Sequence, residues 1–324
     1  MNILSVNKFY WKKGGSESVF FGEKEMLENG EHKVIPFSME GPENEETPYS
    51  KYFVDNVDYS KPGIKNKLLS ASKIIYSFDA KKKMHELLSN YSPDLAHFHI
   101  FQHQISPSVF GELKKRDIPI LLTLHDLKPL CPNYKMYVNG HVCEECKGRK
   151  FYNCLKNRCT KGSTMGSLVN TIEMYFHYAV GFYQGIDRYI AVSKFYQNKM
   201  IEYGFPSEKI TFLPNYINVS KYDQTIPEEG YILYFGRLSE EKGVSLLIEA
   251  AKITPEVKYY IVGSGPLETE LKRKAEINEL ENISFFGYKS GNELMSILSG
   301  ATCIIVPSLW YEAFGLVITE AFAA

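Results

Sequence analysis

Short, continuously apolar runs alternate with amphipathic stretches of helical spacing along most of this chain, and this alternation limits the folds it can adopt. Asn2–Val6 and Lys33–Phe37 are typical of the early runs, and Tyr231–Phe235 and Thr302–Val306 of the late ones. Strands that are covered on both faces read as unbroken apolar runs, as parallel strands packed between helices do. The pattern therefore predicts an α/β protein with parallel sheets built from βαβ units.

The apolar runs fall into two series, with a polar stretch over 214–229 between them. A chain of 324 residues corresponds to about two domains, and a hydrophobic fraction of 44% is typical of globular proteins. We therefore predict one domain over 1–215 and a second over 216–324.

Charge and hydropathy exclude several classes of protein. The net charge of −1 argues against a nucleic-acid partner. The first residues lack the basic segment of a signal peptide, and we therefore predict a cytoplasmic protein. The apolar stretch Leu168–Val192 contains Glu173 and Asp187, so we interpret it as a buried helix pair and not as a spanning helix. An amphipathic helix at a membrane interface is the alternative.

The strongest candidate site follows the last apolar run. Glu312 and Glu320 flank Gly315, where a helix is expected to begin. In open α/β sheets ligands bind beyond the carboxyl ends of the strands, and a helix N-terminus there favours phosphate. Carboxylates can accept hydrogen bonds from a sugar diol. The alternative is an ordinary pair of surface glutamates.

A second candidate lies in the loop after Tyr231–Phe235, which contains Arg237 and Lys242. The guanidinium fork and the ammonium could together neutralise a nucleotide diphosphate without a metal. A solvated basic loop is the alternative.

Together these motifs resemble glycosyltransferase family 4, and the resemblance runs nearly the whole length of the chain. It implies the GT-B fold, in which two Rossmann-like domains face a cleft. The spacing of Glu312 and Glu320 is the specific part of the match. The matching residues are Gly14-Gly15, Val192-Ser193, Pro214-Asn215, Gly236-Arg237, Lys242-Gly243, Gly263-Ser264-Gly265-Pro266, Phe286-Gly287, Pro307-Ser308, Glu312 and Glu320.

The resemblance implies a role for each matching residue. Arg237 and Lys242 would hold the donor diphosphate and stabilise the departing nucleotide, and Glu320 would bind the ribose. Glu312 would contact the transferred sugar. The remaining donor contacts would come from the backbone of Gly15, Phe314, Gly315 and Leu316. The family retains anomeric configuration and needs no metal cofactor for catalysis.

His125, at the end of an apolar run, is the candidate from the first domain. The family often places a sugar-contacting histidine at the corresponding strand end, so His125 is expected to be a catalytic residue that contacts the donor sugar or the acceptor, oriented by Asp126. His99 and His103 are weaker candidates. A structural histidine is the alternative.

Five of the six cysteines lie in a polar insertion over about 131–161, and clustered cysteines in a cytosolic protein suggest a metal. We predict a structural zinc site with four of the five as ligands, and His141 could replace one. An iron–sulfur cluster and reduced or redox-paired thiols remain alternatives. Cys303 is expected to be a buried small side chain. The five cysteines are Cys131, Cys143, Cys146, Cys154 and Cys159.

The same insertion is rich in lysine and arginine. It is either a solvated surface or a contact for an anionic lipid surface or a pyrophosphate-linked acceptor. The second reading would place the protein peripherally on the inner face of the membrane.

These observations predict a retaining glycosyltransferase that moves a sugar from a nucleotide-sugar donor to a glycan or lipid-linked acceptor, as in surface polysaccharide biosynthesis. The alternatives are an inactive nucleotide-sugar-binding scaffold and another GT-B enzyme, such as a sugar-nucleotide epimerase or a phosphorylase. Because the chain ends four residues after Glu320, we also expect the second domain to be incomplete, with an apolar sheet edge exposed.

Overall fold

The computed structural model describes residues 1–56, 71–222 and 230–324. They form two compact units, one made of 1–135 with 144–215 and the other of 136–143 with 216–324. The predicted insertion at 131–161 is thus divided between the units. Pro227, in the predicted linker, lies outside the described residues.

Except for the short strands Tyr137–Val138 and His141–Val142, which lie in the polar insertion and were not predicted, the strands lie where the apolar runs predict them, with ends that differ by at most two residues. In chain order they are β1 Asn2–Val6, β2 Lys33–Phe37, β3 Leu95–Phe98, β4 Ile120–Leu124, β5 Tyr137–Val138, β6 His141–Val142, β7 Arg188–Ala191, β8 Ile210–Phe212, β9 Tyr231–Phe235, β10 Lys258–Val262, β11 Ile283–Gly287 and β12 Ala301–Ile304.

The described helices fill the intervals between strands. They are α1 Gly15–Asn29, α2 Phe78–Asn90, α3 Phe110–Lys114, α4 Tyr152–Lys156, α5 Thr164–Ala179, α6 Lys194–Glu202, α7 Ser245–Ile253, α8 Glu268–Ile277, α9 Gly291–Ser299 and α10 Leu316–Ala323.

Each unit contains a parallel sheet. The first has the strand order β2-β1-β3-β4-β7-β8 and the second has the order β11-β10-β9-β12. The central strands are buried on both faces; Leu4 and Leu233, for example, are fully buried. Helix residues such as Phe20 in the first unit and Leu247 in the second pack into the cores. The α/β class predicted from the apolar runs is therefore confirmed.

Two local predictions are wrong. The stretch 168–192 is not a helix pair: α5 ends at Ala179, and the chain turns through Gly181, at φ +75°, and enters β7. Cys303 is exposed and not buried, because it lies on the edge strand β12, where the pairing with β9 is irregular between Ala301 and Cys303.

Candidate functional site

An ion pair joins the segments that follow β9 and β12 in the second unit. Lys242 Nζ donates to Glu312 Oε1 at 2.6 Å, and Ser308 Oγ donates to the same oxygen at 2.5 Å. The Lys242 ammonium also lies 5.2 Å from the centre of the Trp310 ring. The side chains of Lys242 and Glu312 are each about one quarter exposed, so a ligand from solvent can reach them. The pairing brings together two residues that the sequence placed in separate motifs.

The two glutamates differ in their electrostatic surroundings. Burial raises the pKa of Glu312, but Lys242 and the Ser308 hydroxyl outweigh it and hold that pKa below its ordinary value. Burial raises the pKa of Glu320, on α10. Glu312 is therefore held as a carboxylate by its neighbours, whereas Glu320 lacks that compensation and would gain from hydrogen-bond donors on a ligand.

Gly243 fixes the Lys242 loop against the segment after β12. Its φ is +66°, and a Cβ at this position would lie 2.0 Å from the carbonyl oxygen of Pro307. The amide of Leu309 donates to the carbonyl of Glu241 at 2.8 Å. Close backbone contact of this kind holds the Lys242 loop beside the segment that contains Ser308 and Glu312.

The helix predicted near 313–315 begins at Leu316, and Gly315 is its N-cap with φ +79°. Phe314 and Leu316 are half-buried beside that terminus. Arg237 is exposed on the loop after β9, and its carbonyl accepts a hydrogen bond from the Tyr234 hydroxyl. The free N–H groups at the start of α10 and the loop cations thus lie beyond strand ends of one sheet.

His125 belongs to a buried histidine cluster in the first unit. His99 Nδ1 lies 2.9 Å from His125 Nε2, and His97 Nε2 lies 2.7 Å from Thr123 Oγ1. Burial lowers the pKa of His97 to about 4 and that of His125 to about 3, so both imidazoles are neutral at pH 7. Burial raises the pKa of Glu23, which faces the cluster from α1, to about 7.

The neighbours of these histidines differ from those expected. We predicted that Asp126 would orient His125, but the structure gives that contact to His99, and Asp126 Oδ1 accepts from the amide of Lys128. A recess of about 10 Å³ beside His125 and Asp126 has room for about one water. His103 lies elsewhere, 3.5 Å from Glu173 Oε2.

Gly15 starts α1, and Gly14 before it is extended and forms the N-cap. Gly15 and His125 belong to the first unit, and Arg237, Lys242, Glu312 and Glu320 belong to the second.

The five cysteines of the predicted zinc site are divided between the two compact units. Cys143 groups with the second unit, and Cys131, Cys146, Cys154 and Cys159 with the first. Cys154 and Cys159 interact, which lowers the pKa of Cys154. Among the described residues of the first unit, no three of these four sulfur atoms lie within 4.8 Å of one another. The structural zinc site on four of the five cysteines stays a prediction.

Comparison with known families identifies the chain. A sequence model described as Glycosyltransferase Family 4 matches residues 13–221. The chain belongs to glycosyltransferase family 4. A second model, described as Glycosyl transferases group 1, matches residues 220–324. The glycosyltransferase is thus covered by family matches from residue 13 to its end.

The relatives of this chain include an uncharacterised protein and enzymes of polysaccharide synthesis. An uncharacterised protein in the cps region of Klebsiella pneumoniae is 24% identical, and the match covers 100% of this chain and 83% of the relative. An amylovoran biosynthesis glycosyltransferase of Erwinia amylovora is 31% identical, with 37% of this chain and 32% of the relative covered. An O-antigen chain mannosyltransferase of Escherichia coli is 29% identical over 41% of this chain and 36% of its own length. The matches to these two enzymes thus span about a third of their length.

Solved structures show the same fold. Sucrose-phosphate synthase from Thermosynechococcus elongatus matches with a TM-score of 0.65 at 18% identity, covering 99% of this chain and 78% of that one. An Anabaena protein solved with UDP-glucose matches with a TM-score of 0.61 at 17% identity, and the match covers 100% of this chain and 78% of the Anabaena protein. These likenesses and the two parallel sheets confirm the GT-B fold.

Sequence reasoning missed three residues of these clusters. Trp310 and Ser308 lie within the matched motif, but only the structure shows them beside Lys242 and Glu312. Glu23 carries no motif, and its spacing on an amphipathic helix is typical of a surface residue. Among the described helices, none is long and apolar enough to cross a bilayer.

Proposed function

We propose that this glycosyltransferase takes its sugar from a nucleotide-sugar donor and retains the anomeric configuration of that sugar in the product. The observation that carries the proposal is the contact of Lys242 with Glu312 beside the N-terminus of α10. It places a cation, a carboxylate and free backbone N–H groups beyond the carboxyl ends of parallel strands, the general position for nucleotide ligands in such sheets.

The chemistry follows from what each residue offers. During transfer the bond from the sugar to the diphosphate breaks, and negative charge builds on the departing nucleotide. Lys242 and Arg237 would bind that charge, and the N–H groups before α10 would add their dipoles. Glu312 would accept hydrogen bonds from the sugar, and Glu320 from the ribose hydroxyls. We propose that these protein groups replace a catalytic metal.

Lys242 must change partners when a donor binds. In the free protein its ammonium is paired with Glu312, and a diphosphate with greater charge would draw it away. Ser308 would then keep Glu312 in place, since its hydroxyl bonds the same carboxylate oxygen. The contact with Lys242 thus keeps Glu312 a carboxylate before the donor arrives.

The acceptor is proposed to be a glycan or a lipid-linked glycan of a surface polysaccharide. Relatives named for amylovoran and O-antigen synthesis support this class. Gly15 and His125 are proposed to contact the donor phosphates and sugar, as the family resemblance implies.

A ligand screen followed by a transfer assay tests the proposal. UDP, GDP, ADP and their sugars are added to the purified protein, and the base that raises the melting temperature identifies the donor. Lys242→Ala should lower the transfer rate by at least about 100-fold, as loss of one charge-stabilising donor does. Glu320→Gln should weaken nucleotide binding by about tenfold or more, the effect of a lost hydrogen bond to a charged group.

Lys252→Ala, at the end of α7 in the same unit, is the control and should leave rate and affinity unchanged. Proton NMR of the product should show the anomeric configuration of the donor, and added Mg²⁺ should not raise the rate. Inversion of the configuration, or normal transfer by Lys242→Ala, would contradict the proposal. Nucleotide binding without turnover would favour the scaffold alternative, and sugar isomerisation without transfer would favour the epimerase.

We also propose that the basic face of the first unit contacts anionic lipid. Tyr152 and Met165, which are 54% and 66% exposed, lie close in sequence to exposed cations, a combination that suits a membrane surface. The exposed cations of this face are Lys147, Arg149, Lys150, Lys156, Arg158 and Lys161.

Vesicle sedimentation tests this contact. The protein should bind phosphatidylglycerol vesicles and not phosphatidylcholine vesicles. Changing Lys150, Lys156 and Arg158 to Glu should weaken binding by at least about 100-fold, given about 1 kcal/mol per cation. The matched control changes Lys252, Lys272 and Lys274 of the second unit to Glu. Equal loss of vesicle binding in both triple variants would contradict the proposal that this face of the first unit binds the lipid.

A further inference from the structure

Three metal-ligating groups converge in the first unit, apart from the cysteines. Glu23 Oε2, on α1, lies 3.4 Å from His97 Nδ1 and 3.4 Å from His99 Nε2. His97 lies in β3, and His99 follows directly after that strand. The three ligand atoms all lie within 4.8 Å of one another. Two imidazoles and one carboxylate form a donor set that transition metals such as zinc accept.

Hydrogen bonding does not account for this geometry. A distance of 3.4 Å exceeds the usual range of about 2.7–3.2 Å for a nitrogen–oxygen hydrogen bond. His99 Nε2 is buried and has no hydrogen-bond partner among the residues that the structure describes. A buried polar atom of this kind is rare, because such atoms are normally bonded to a protein group, an ion or a water. The nitrogen points at a carboxylate that it does not bond.

The spacing is that of atoms arranged around a common centre. Zinc binds imidazole nitrogen and carboxylate oxygen at about 2.1 Å, so two ligands of a tetrahedral shell lie about 3.4 Å apart. Glu23 Oε2 has this separation from both nitrogens. An ion between the three atoms would therefore complete the cluster with little movement of the side chains.

The opposite ring nitrogens are held as a metal site requires. His97 Nε2 is 2.7 Å from the Thr123 hydroxyl, and His99 Nδ1 is 2.9 Å from His125 Nε2. When these nitrogens carry the protons, His97 Nδ1 and His99 Nε2 present lone pairs toward Glu23. Such outer contacts fix the tautomer and orientation of ligating histidines.

We propose that Glu23, His97 and His99 bind one divalent transition-metal ion, with Zn²⁺ as the probe, in a structural site inside the first unit. The His99 side chain is fully buried, whereas the Glu23 side chain is 19% exposed, so the ion would enter from solvent past Glu23. The ion would tie α1 to the end of β3. The site shares no ligand residue with the proposed donor site or with the cysteines, and it borders the donor site at His125, the hydrogen-bond partner of His99.

Cobalt spectroscopy and metal titration test the site. The full chain is stripped with a chelator and titrated with Zn²⁺ or with Co²⁺, whose absorption distinguishes nitrogen and oxygen ligands from thiolates. The wild-type chain should bind about one equivalent of Co²⁺ without a thiolate charge-transfer band. Zn²⁺ should raise its melting temperature.

Glu23→Gln preserves shape and removes the anionic ligand. It should weaken binding by at least about 100-fold, since losing even an outer partner costs about 10–100-fold. Glu25→Gln, an exposed neighbour on α1, is the matched control and should bind as the wild type does. His97→Gln provides a second test should Glu23→Gln fail to fold.

Three results would overturn the site. These are the absence of Co²⁺ binding by the wild-type chain, wild-type affinity in both ligand variants, and a spectrum dominated by thiolate bands that disappears in Cys154→Ser. Failure of the metal site would leave the donor proposal standing, because that proposal is tested through Lys242→Ala and Glu320→Gln in the second unit.

Discussion

At the scale of single residues, the most consequential contact outside the candidate site is a buried ion pair. Lys128 Nζ donates to Glu173 Oε2 at 2.6 Å, and both side chains are almost fully buried. The same ammonium donates to the carbonyl of Pro132 at 2.8 Å. A charge in such a place depends on its partner, because desolvation is costly unless the charge is paired and hydrogen-bonded.

Removing one partner should destabilise the first unit strongly. Glu173→Ala is expected to lower the free energy of unfolding by about 3–5 kcal/mol, because it leaves the Lys128 ammonium buried and unpaired. The double variant Lys128→Met, Glu173→Leu should lose less than Glu173→Ala alone. Urea denaturation measures both.

The control is an exposed pair in the same unit. Lys114 and Asp187 lie 2.7 Å apart with side chains 43% and 44% exposed. Lys114→Ala should therefore cost no more than about 1 kcal/mol. Equal losses from Lys114→Ala and Glu173→Ala would show that burial does not govern the energetics of the Lys128 pair.

The same pair predicts a dependence of stability on pH. Burial raises the pKa of Glu173, but the attraction of Lys128, with His103 and His177 also facing the carboxylate, lowers it to about 2. Because the folded pKa lies below the ordinary value of 4.5, the carboxylate stabilises the fold above about pH 4.5 and loses this effect as the pH falls toward 2. Burial also lowers the pKa values of His103 and His177, so their contribution begins to fall earlier, below about pH 6.5.

Urea midpoints of the wild-type chain and Glu173→Gln at pH 7, 5 and 3 separate the two effects. The difference between the two urea midpoints should narrow between pH 5 and pH 3, because Glu173 is the titrating group by which the two proteins differ. A gap of constant size over this range would contradict the depressed pKa.

At the scale of elements, the loop after β9 depends on close backbone contact with the segment after β12. Gly243 and Gly287 have nearly the same φ, +66° and +67°, but only Gly243 is crowded, and nothing lies within 4 Å of a Cβ at Gly287. A substitution at Gly287 therefore tests backbone strain alone, whereas a substitution at Gly243 tests backbone strain together with a steric clash.

Gly243→Ala should therefore destabilise the second unit more than Gly287→Ala. Both substitutions cost about 1–2 kcal/mol for a side chain in the left-handed region. Gly243→Ala also forces Pro307 away and shifts Ser308, so nucleotide affinity should fall in this variant alone. Thermal denaturation with and without nucleotide measures both effects, and equal affinity in the two variants would show that the loop position does not matter for binding.

The α/β elements were largely predictable, and the failures have local reasons. An unbroken apolar run such as Tyr231–Phe235 is typical of a parallel strand that helices cover on both faces. The stretch 168–192 was apolar enough for a second helix, but Gly181 turns the chain before β7. The polar insertion offered no periodicity, so its division between the two units could not be foreseen.

At the scale of the whole molecule, nucleotide binding should act first on the second unit. Hydrogen exchange with and without the nucleotide identified in the screen should show slower exchange over 236–243 and 307–316, where backbone N–H groups and Lys242 would meet phosphate. Glu320→Gln should reduce this protection at the same nucleotide concentration. Protection confined to residues 1–56 would contradict the assignment of the donor site.

The sequence by itself determined the α/β class, the strands and the family, because apolar periodicity and short motifs are local properties. Only the tertiary structure decided which side chains meet. Lys242 reaches Glu312 across 70 positions, and Glu23 reaches His97 and His99 from a helix that carries no motif for them. Such contacts depend on how each sheet and its helices close over a core, and no local pattern of residues encodes that closure.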